Sequence, residues 1–478
     1  MPLFPRAVSF EELSQRHGAR YKWLALLVVA VGTVAGVLST SSFNVAVPVL
    51  TRFFALGQEQ VQWVMTGFMG AITVSMLPTP WLLERFGFRK LFLVSIAVLL
   101  ATSIGGFFAP TFPLVVAARI AQGMATGVLQ PLGPLAVMRL FPPQSQGRAS
   151  GILTFSIVLM PAISPALAGV LLDQFGWQAI FLLNMPFCLI AWVSALYLLP
   201  LPRETTHKRF DWPGVVLLTL ATLALVESVS SLQHSGFLAP WTLGNLSLAA
   251  AAMWLFVRHA RKCKAPIISL GLFRHRTFSM GAIVSFVYGF GFFASTYLFP
   301  VFLQNALGFS ATAAGATLIP SGIALMLTIP LAGRMADRYS PQWITVAGMT
   351  LLGSSFLAFA LLGERITSPQ LIGITVWGRI GLGLILPALT LAILRHQEPH
   401  KLGQSSVVIS YSRQLGGVLG IAIVAVFIAW RESIYGIEAP GIHHAYSQGF
   451  LLLTVVFGFA LVAACLMKTP RKTPAPGI

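Results

Sequence analysis

Three arginines, Arg119, Arg379 and Arg413, stand inside long apolar runs that carry almost no other charge. Arginine keeps its proton under all ordinary conditions, so each must find acceptors where it sits, and a charge in such a run marks a functional site by default. Near Arg119, Gln122 and Asn44 could supply carbonyl oxygens to the guanidinium, either as part of a working site or as a structural hydrogen-bond hub. The acids are scarce: of thirteen, only Glu227 lies well inside a run, about 20 Å along it when counted from Gly214 at ~1.5 Å per residue. Burial raises a carboxyl pKa toward physiological values, so Glu227, or Asp173 at the end of another run, could carry protons; each could equally be a polar residue facing the membrane interface. No histidine falls in the middle of a run and no run holds a pair of acids, which argues against a nucleophile-and-base enzyme. No phosphate-binding loop of the Walker type is present. No Cys/His cluster has ligand spacing, so neither a metal nor another cofactor is expected. Cys188, Cys263 and Cys465 show no pairing that would suggest a disulfide.

A second kind of pattern is a short charged loop that occurs twice. The first copy runs from Pro80 through Glu84, Arg85, Gly87, Arg89 and Lys90; the second runs from Gly333 through Arg334, Asp337 and Arg338. Each follows one apolar run, leads into another, and sets one carboxylate beside basic residues. Glu84 and Asp337 are 253 residues apart, and Arg119 and Arg379 are 260 apart. Two similar offsets indicate an internal repeat, and two halves about a shared axis are transporter architecture.

The elements that must position these residues follow from composition. The chain is 56% hydrophobic and only 9% charged over 478 residues, with a mean hydropathy of +0.81. A soluble domain carries about 25% charged residues, so lipid is the solvent for most of this chain. At roughly 20 residues per crossing, the runs predict fourteen spans, near 23–43, 62–80, 91–108, 113–138, 151–171, 179–199, 214–234, 243–259, 279–301, 313–333, 344–362, 369–394, 404–430 and 448–467. Helices satisfy their own backbone in lipid, and continuous apolar runs do not alternate as barrel strands must. With the N-terminus inside, 25 of the 31 Lys and Arg fall in inside segments. This positive-inside bias accounts for the +18 net charge without a nucleic-acid partner. The predicted fold class is therefore all-α and integral to the membrane. Ser9 to Glu12 has a capping-box pattern, so residues 10–20 read either as a short surface helix or as a frayed tail. No cleavable signal peptide is apparent.

The halves give the expected organisation: a cytoplasmic segment 1–22, a six-helix bundle 23–200, an inserted two-helix hairpin with linkers 201–276, a second six-helix bundle 277–467 and a cytoplasmic tail 468–478. Within the second bundle, the Phe286 to Phe299 stretch is rich in aromatic residues. Tyr288 and Tyr297 keep a polar handle that suits a binding cavity, although an interfacial aromatic belt would use the same residues.

Five patches in this order resemble the major facilitator superfamily, and within it the fourteen-helix EmrB/QacA-type drug:proton antiporters. They are Asn44-Val-Ala-Val-Pro48, the Glu84–Lys90 loop, Arg119-Ile-Ala-Gln122-Gly123, Pro161-Ala-Ile-Ser164-Pro165-Ala-Leu-Ala-Gly169, and Gly176-Trp177-Gln-Ala-Ile-Phe181-Leu-Leu-Asn184-Met-Pro186. The resemblance implies the major facilitator fold and export of small amphipathic compounds by proton antiport. It also implies a bacterial inner-membrane location with both termini cytoplasmic, and a periplasmic adaptor as a candidate partner beside substrate, protons and the bilayer. It assigns proton coupling to Arg119, a cytoplasmic latch to the Glu84 and Asp337 loops, and an antiporter role to the helix bearing Pro161, Ser164, Pro165 and Gly169. The chain departs from the family at Ser39, where many members carry an acid. The hydroxyl-rich stretch there could bind neutral or anionic groups, or back-bond to its own helix. With Ser39, Asn44, Gln122, Tyr288, Tyr297, Arg379 and Arg413 as cavity residues, the site is expected to be electropositive and to favour neutral or weakly acidic amphiphiles. An exporter or flippase of a lipid or endogenous metabolite, without proton coupling, is the alternative.

Overall fold

The apolar runs are helical in the computed structural model, all but two of them as single α-helices, and it describes residues 10–61, 63–200, 210–236, 239–363, 366–395, 397–436, 438 and 440–467. The helices are α1 (Phe10–His17), α2 (Tyr21–Ser41), α3 (Val47–Phe54), α4 (Gln58–Val61), α5 (Trp63–Ser75), α6 (Thr79–Phe107), α7 (Phe112–Leu140), α8 (Gln146–Phe175), α9 (Met185–Leu198), α10 (Trp212–Ser235), α11 (Pro240–Lys262), α12 (Arg276–Val301), α13 (Ala311–Arg338), α14 (Pro341–Leu362), α15 (Ser368–Leu394), α16 (Leu402–Tyr435) and α17 (Gly441–Cys465). A 3-10 turn, Trp177–Asn184, leads into α9. Among the described residues twelve helical stretches are long and apolar enough to cross a membrane. Two further helices occupy the other expected spans: α8, with 30 residues, and α5, with 13. The second span differs from expectation because α5 stops at Ser75 and the chain turns before α6 begins. Within α6, Gly87 has φ 75 and ψ 164 and breaks the helix in two, a conformation that glycine adopts without a Cβ clash. Residues 79–86 thus finish one span and residues 88–107 form the next.

The outer surface is what a lipid solvent permits. Leu361 is 76% exposed, Phe459 74% and Leu327 69%; in water such a surface would drive association. The short α1 lies at the start of α2, with Arg16 paired to Glu12 one turn away at 2.7 Å.

Helices α2 and α5–α9 pack together as one bundle, and α12–α17 as another. α10 and α11 pair with each other, and α10 leans on α16 and α5. The hairpin is secured at its base by Asp211, the N-cap of α10. Its Oδ1 accepts from Gly214 N at 3.0 Å and lies 2.6 Å from His259 Nε2 on α11, and its Oδ2 accepts from Ile267 N at 3.1 Å. Cys263 completes a group whose ligand atoms lie within 4.8 Å of one another. Both Asp211 oxygens are already engaged, so hydrogen bonding accounts for the cluster as a clasp.

Glycines set the closest crossing in the second bundle. A Cβ on Gly289 of α12 would lie 1.9 Å from Arg413 O, and one on Gly416 of α16 would lie 2.0 Å from Phe286 O. Both obstacles are backbone atoms that cannot swing away. Gly416→Ala is therefore expected to destabilise the protein by at least the ~1–3 kcal/mol typical of overpacking. A fall in the thermal unfolding midpoint in detergent would show it. Gly373→Ala, where a Cβ meets open space, is the control and should leave the midpoint unchanged.

Candidate functional site

The first bundle buries a polar chain built around Arg119. α7 begins with Pro113 in its first turn, and Arg119 and Gln122 fall one turn apart on one face. Gly123 and Gly127 let α5 approach: a Cβ on Gly123 would lie 2.4 Å from Phe68 O, and one on Gly127 2.3 Å from Ile72 O. That approach brings Val64 and Phe68 onto the guanidinium. Arg119 Nε donates to Val64 O at 3.3 Å, and Nη1 donates to Gln122 Oε1 at 3.0 Å. Its Cζ lies 3.8 Å from the Phe68 ring centroid and 4.3 Å from that of Phe43. Cation–π contacts of this kind contribute roughly 2 kcal/mol or more each when desolvated. Arg119 has no solvent exposure, and Nη2 has no acceptor among the described groups.

The chain continues outward from Gln122. Gln122 Nε2 donates to Ser103 Oγ at 2.9 Å, Ser103 Oγ lies 2.9 Å from Asn184 Oδ1, and Asn184 Nδ2 donates to Ser39 Oγ at 2.7 Å. Gly106 makes the α6 approach possible, since a Cβ there would fall 2.3 Å from the Phe181 ring. Four segments, α7, α6, the 3-10 turn and α2, are thereby joined through buried side chains. No carboxylate belongs to the chain among the described residues.

Ser39 and Gln122 are thus brought to Arg119, and both are buried. Asn44 lies in the 3-10 turn Ser42–Val45 beside Phe43, and its side chain is outside the described residues. The two acids are elsewhere. Asp173 is exposed at the end of α8, and Glu227 is exposed on α10, where Trp241 Nε1 donates to its Oε1 at 3.3 Å. α8 runs unbroken through positions 161 and 165; the side chains of Pro161 and Pro165 are outside the described residues, Ser164 is buried, and Gly169 faces open space.

In the second bundle, the glycine-lined crossing of α12 and α16 places Arg413 beside Tyr288. The Tyr288 phenol lies within Coulombic reach of both Arg413 and Arg379, and Arg379 Cζ is 5.9 Å from the Phe299 ring. These three side chains form one group. Tyr297 belongs to a different one, with Glu432 and Tyr446 near the far end of α16.

The two bundles meet most intimately at the second copy of the charged loop. The face where α2 begins and α17 ends carries Arg85, Arg89, Lys90, Arg148, Arg338 and Arg395, and is called the basic face below. Asp337 Oδ1 accepts from Gly147 N at 2.6 Å, and Oδ2 accepts from Arg148 N at 2.8 Å. A carboxylate from one bundle therefore caps the first turn of α8 in the other, where free N–H groups and the helix dipole favour negative charge. Backbone contact makes this possible, for a Cβ on Gly333 would lie 2.4 Å from Gly147 O. Arg395 adds a third strand to the contact: its Nη2 donates to Pro143 O at 2.8 Å and lies 3.6 Å from Asp337 Oδ1. Burial lowers the Arg395 guanidinium pKa from its ordinary value, while Asp337 acts in the opposite sense.

The first copy of the loop is arranged differently. Arg89 Nη2 donates to Leu196 O at 2.6 Å within its own bundle. Arg85 rests over Trp81 and Lys90 over Phe86. Glu84 is within Coulombic reach of Arg139, and Leu83 lies beside Gly403 at the start of α16. Arg338 is exposed. Further from this face, Ser406 Oγ of α16 donates to Pro131 O of α7 at 2.8 Å, and Gln414 Nε2 lies 3.5 Å from Met69 Sδ. Every polar contact described between the bundles lies between the basic face and the middle of the helices.

Sequence reasoning missed Ser103, Asn184 and Glu432 as members of polar clusters. Ser103 and Asn184 are uncharged polar residues in apolar runs, a weaker signal than arginine but one that marks interhelical hydrogen bonding. It also missed that the Asp337 copy docks on α8, which no feature of the Gln146 region advertises.

Two bundles of membrane helices joined about one buried interface define a polytopic transport-type fold. The chain belongs to the Major Facilitator Superfamily, whose family model matches residues 29–421 and again 281–477. Members of this superfamily are transporters rather than enzymes. The chain is 30% identical over 413 residues to the multidrug resistance protein B homolog of Mycobacterium tuberculosis (strain ATCC 25618 / H37Rv), covering 84% of this chain and 76% of that one. It is 28% identical over 454 residues to the putative multidrug resistance protein MdtD of Salmonella heidelberg (strain SL476), covering 94% and 95%. Among solved structures, the human organic anion transporter MFSD10 (TETRAN) superposes with a TM-score of 0.65 at 15% identity, covering 91% of this chain and 99% of that one. The proton:xylose symporter XylE gives 0.64 at 14% identity, covering 91% and 95%. Both likenesses concern the fold.

Proposed function

We propose that this protein is a secondary active exporter of small amphipathic compounds, working by alternating access with proton entry as the driving reaction. The observation that carries the proposal is the one-sided closure: the bundles are bonded from the basic face to mid-membrane through contacts that two rigid bodies can make and break. The multidrug-resistance names of the relatives support the substrate class. The positive-inside bias supports a cytoplasmic basic face, and a bacterial inner membrane is part of the proposal; in that orientation the structure corresponds to a state closed inward. Fourteen spans, with 23–200 and 277–467 as the bundles and 201–276 as the inserted hairpin, agree with that orientation.

In this proposal Arg119 links proton entry to substrate movement through the Gln122–Ser103–Asn184–Ser39 chain. Its bonds among the described residues are to neutral groups, so binding of an anion or a polarisable acceptor is favoured there. Asp173 and Glu227 are the acids proposed to exchange protons, Asp173 from the helix whose other end carries the closure. Tyr288, Arg379 and Arg413 are proposed to line the cavity from the second bundle. Their charge favours neutral or weakly acidic compounds, which also keeps export of an endogenous metabolite as the second reading.

Everted membrane vesicles carrying a pH-sensitive dye test the coupling. Substrate added to an acidified lumen should release protons in proportion to uptake. Substrate uptake without proton release would refute antiport for that compound. Ser39→Asp supplies the missing carboxylate at a position that already accepts from Asn184, and should raise export of a lipophilic cation such as ethidium several-fold while lowering that of a weak acid. Unchanged cation export would remove Ser39 from the cavity.

A further inference from the structure

We propose that Arg379, Arg413 and Tyr288 form a subsite for one carboxylate, and that the exported compound is an amphipathic aryl carboxylic acid carried as its anion. The inference rests on the exporter reading in one respect, that the space these residues border receives the exported compound.

The three side chains meet at mid-membrane. Each stands about 16–18 Å from the start of its helix; α12 and α16 start at the basic face and α15 at the opposite one. Substrate sites of transporters built from two repeats lie near this depth. Gln414, next to Arg413 in α16, makes the Met69 contact where the polar closure between the bundles ends.

The group holds donors and lacks an acceptor. A guanidinium has only N–H donors. Among the described groups, neither Arg379 nor Arg413 donates a hydrogen bond or pairs with a carboxylate, and the one titratable group in Coulombic reach of them is Tyr288. The Tyr288 hydroxyl has no hydrogen-bond partner among the described groups either. By contrast, Arg395 at the basic face lies 3.6 Å from Asp337 Oδ1. Arg379 Cζ is 5.9 Å from the Phe299 ring centroid, at the edge of cation–π range, and no ring lies over Arg413 among the described contacts. Both guanidiniums are ringed by protein yet keep accessible surface, so they border an internal space rather than a sealed core. Cations at mid-membrane without acceptors carry the penalty of unpaired charge, and a ligand that brings an acceptor removes it. The two oxygens of a carboxylate take parallel N–H bonds from a guanidinium and have lone pairs left for a hydroxyl. A cation is repelled there, and a neutral polar group leaves both charges unpaired. The Phe292 ring stacks on Tyr288 at 6.2 Å, so flat apolar surface adjoins the cations and suits an aryl body.

Isothermal titration of the purified protein with 1-naphthaleneacetate and its neutral counterpart 1-naphthaleneacetamide, at neutral pH where the acid is ionised, tests the assignment. The wild type should bind the acid at least about tenfold more tightly than the amide. Arg379→Gln and Arg413→Gln should each weaken the acid about tenfold and the amide far less, so that the preference is lost; residual amide binding shows that the variant is folded. Tyr288→Phe should cost the acid about two- to tenfold. A wild type that binds the two compounds equally, or the acid not at all, would overturn the proposal, as would Gln variants that keep the wild-type preference. Uptake of both compounds by everted vesicles separates this inference from the exporter reading. Acid and amide accumulated alike leaves export standing and removes the subsite, whereas acid bound selectively but never accumulated keeps the subsite and removes export.

Discussion

Arg119→Ala should reduce substrate transport in vesicles by about 10- to 150-fold while the protein still reaches the membrane. The range corresponds to the ~1.5–3 kcal/mol of a hydrogen bond to a charged group. Two donors of Arg119 are committed to Val64 O and Gln122 Oε1, and its plane is held between the rings of Phe43 and Phe68. Arg119→Lys is the informative companion. Lysine keeps the charge but has neither the planar fork nor the same stacking, so it should fail nearly as badly as alanine. Stability and transport separate the two roles of the residue. A structural hub would lose thermal stability on substitution and keep its rate of transport per folded molecule. A coupling residue would lose transport with a modest change in stability, because removing a buried charge also removes its desolvation cost. Transport by Arg119→Ala above about a third of the wild-type rate per folded molecule would refute the coupling role.

The second large effect is expected at the closure. Gly333→Ala would set a Cβ 2.4 Å from Gly147 O. Neither backbone can yield without moving α8 away from α13. Overpacking of ~1–3 kcal/mol acting only on the closed state shifts the equilibrium about 5- to 150-fold toward the state open on the basic face. Spin labels at Gln144 and Tyr339, both exposed and flanking the contact, would report this as a move of the distance distribution to longer values. Asp337→Asn keeps the shape but removes the charge that caps α8. Its shift should be smaller, since a charge at a helix N-terminus contributes about 0.3–1 kcal/mol, up to ~2 when partly buried. An unchanged distribution for Gly333→Ala would show that the contact does not govern closure.

The helices and the arginines were legible because both are local signals. Hydropathy sums over neighbours in the chain, and a helix satisfies its backbone within itself, so spans can be read without knowing what packs against them. The exception is informative. The 62–80 run reads as one span, but the chain turns after Ser75 and the helix resumes at Thr79, while the break at Gly87 falls within the expected loop between spans. The stretch that follows Arg413 carries Gly416, Gly417 and Gly420. That its glycines meet the backbone of α12, and thereby place Arg413 near Tyr288, depends on where two distant helices cross.

By itself the sequence determined that lipid is the solvent, that helices cross it, that the charged loop and the buried arginine recur at matched offsets, and that the family is the Major Facilitator Superfamily. Tertiary structure decided which residues are partners. It joined Arg119 to Ser39 through Gln122, Ser103 and Asn184, set Asp337 on the start of α8, and left Asp173 and Glu227 outside the polar chain. The physical reason is range. Burial in lipid and helix formation follow from a residue and its near neighbours. A hydrogen bond between residues 81 or 190 positions apart exists only where small residues let their backbones approach, and that approach is a property of the packed bundle.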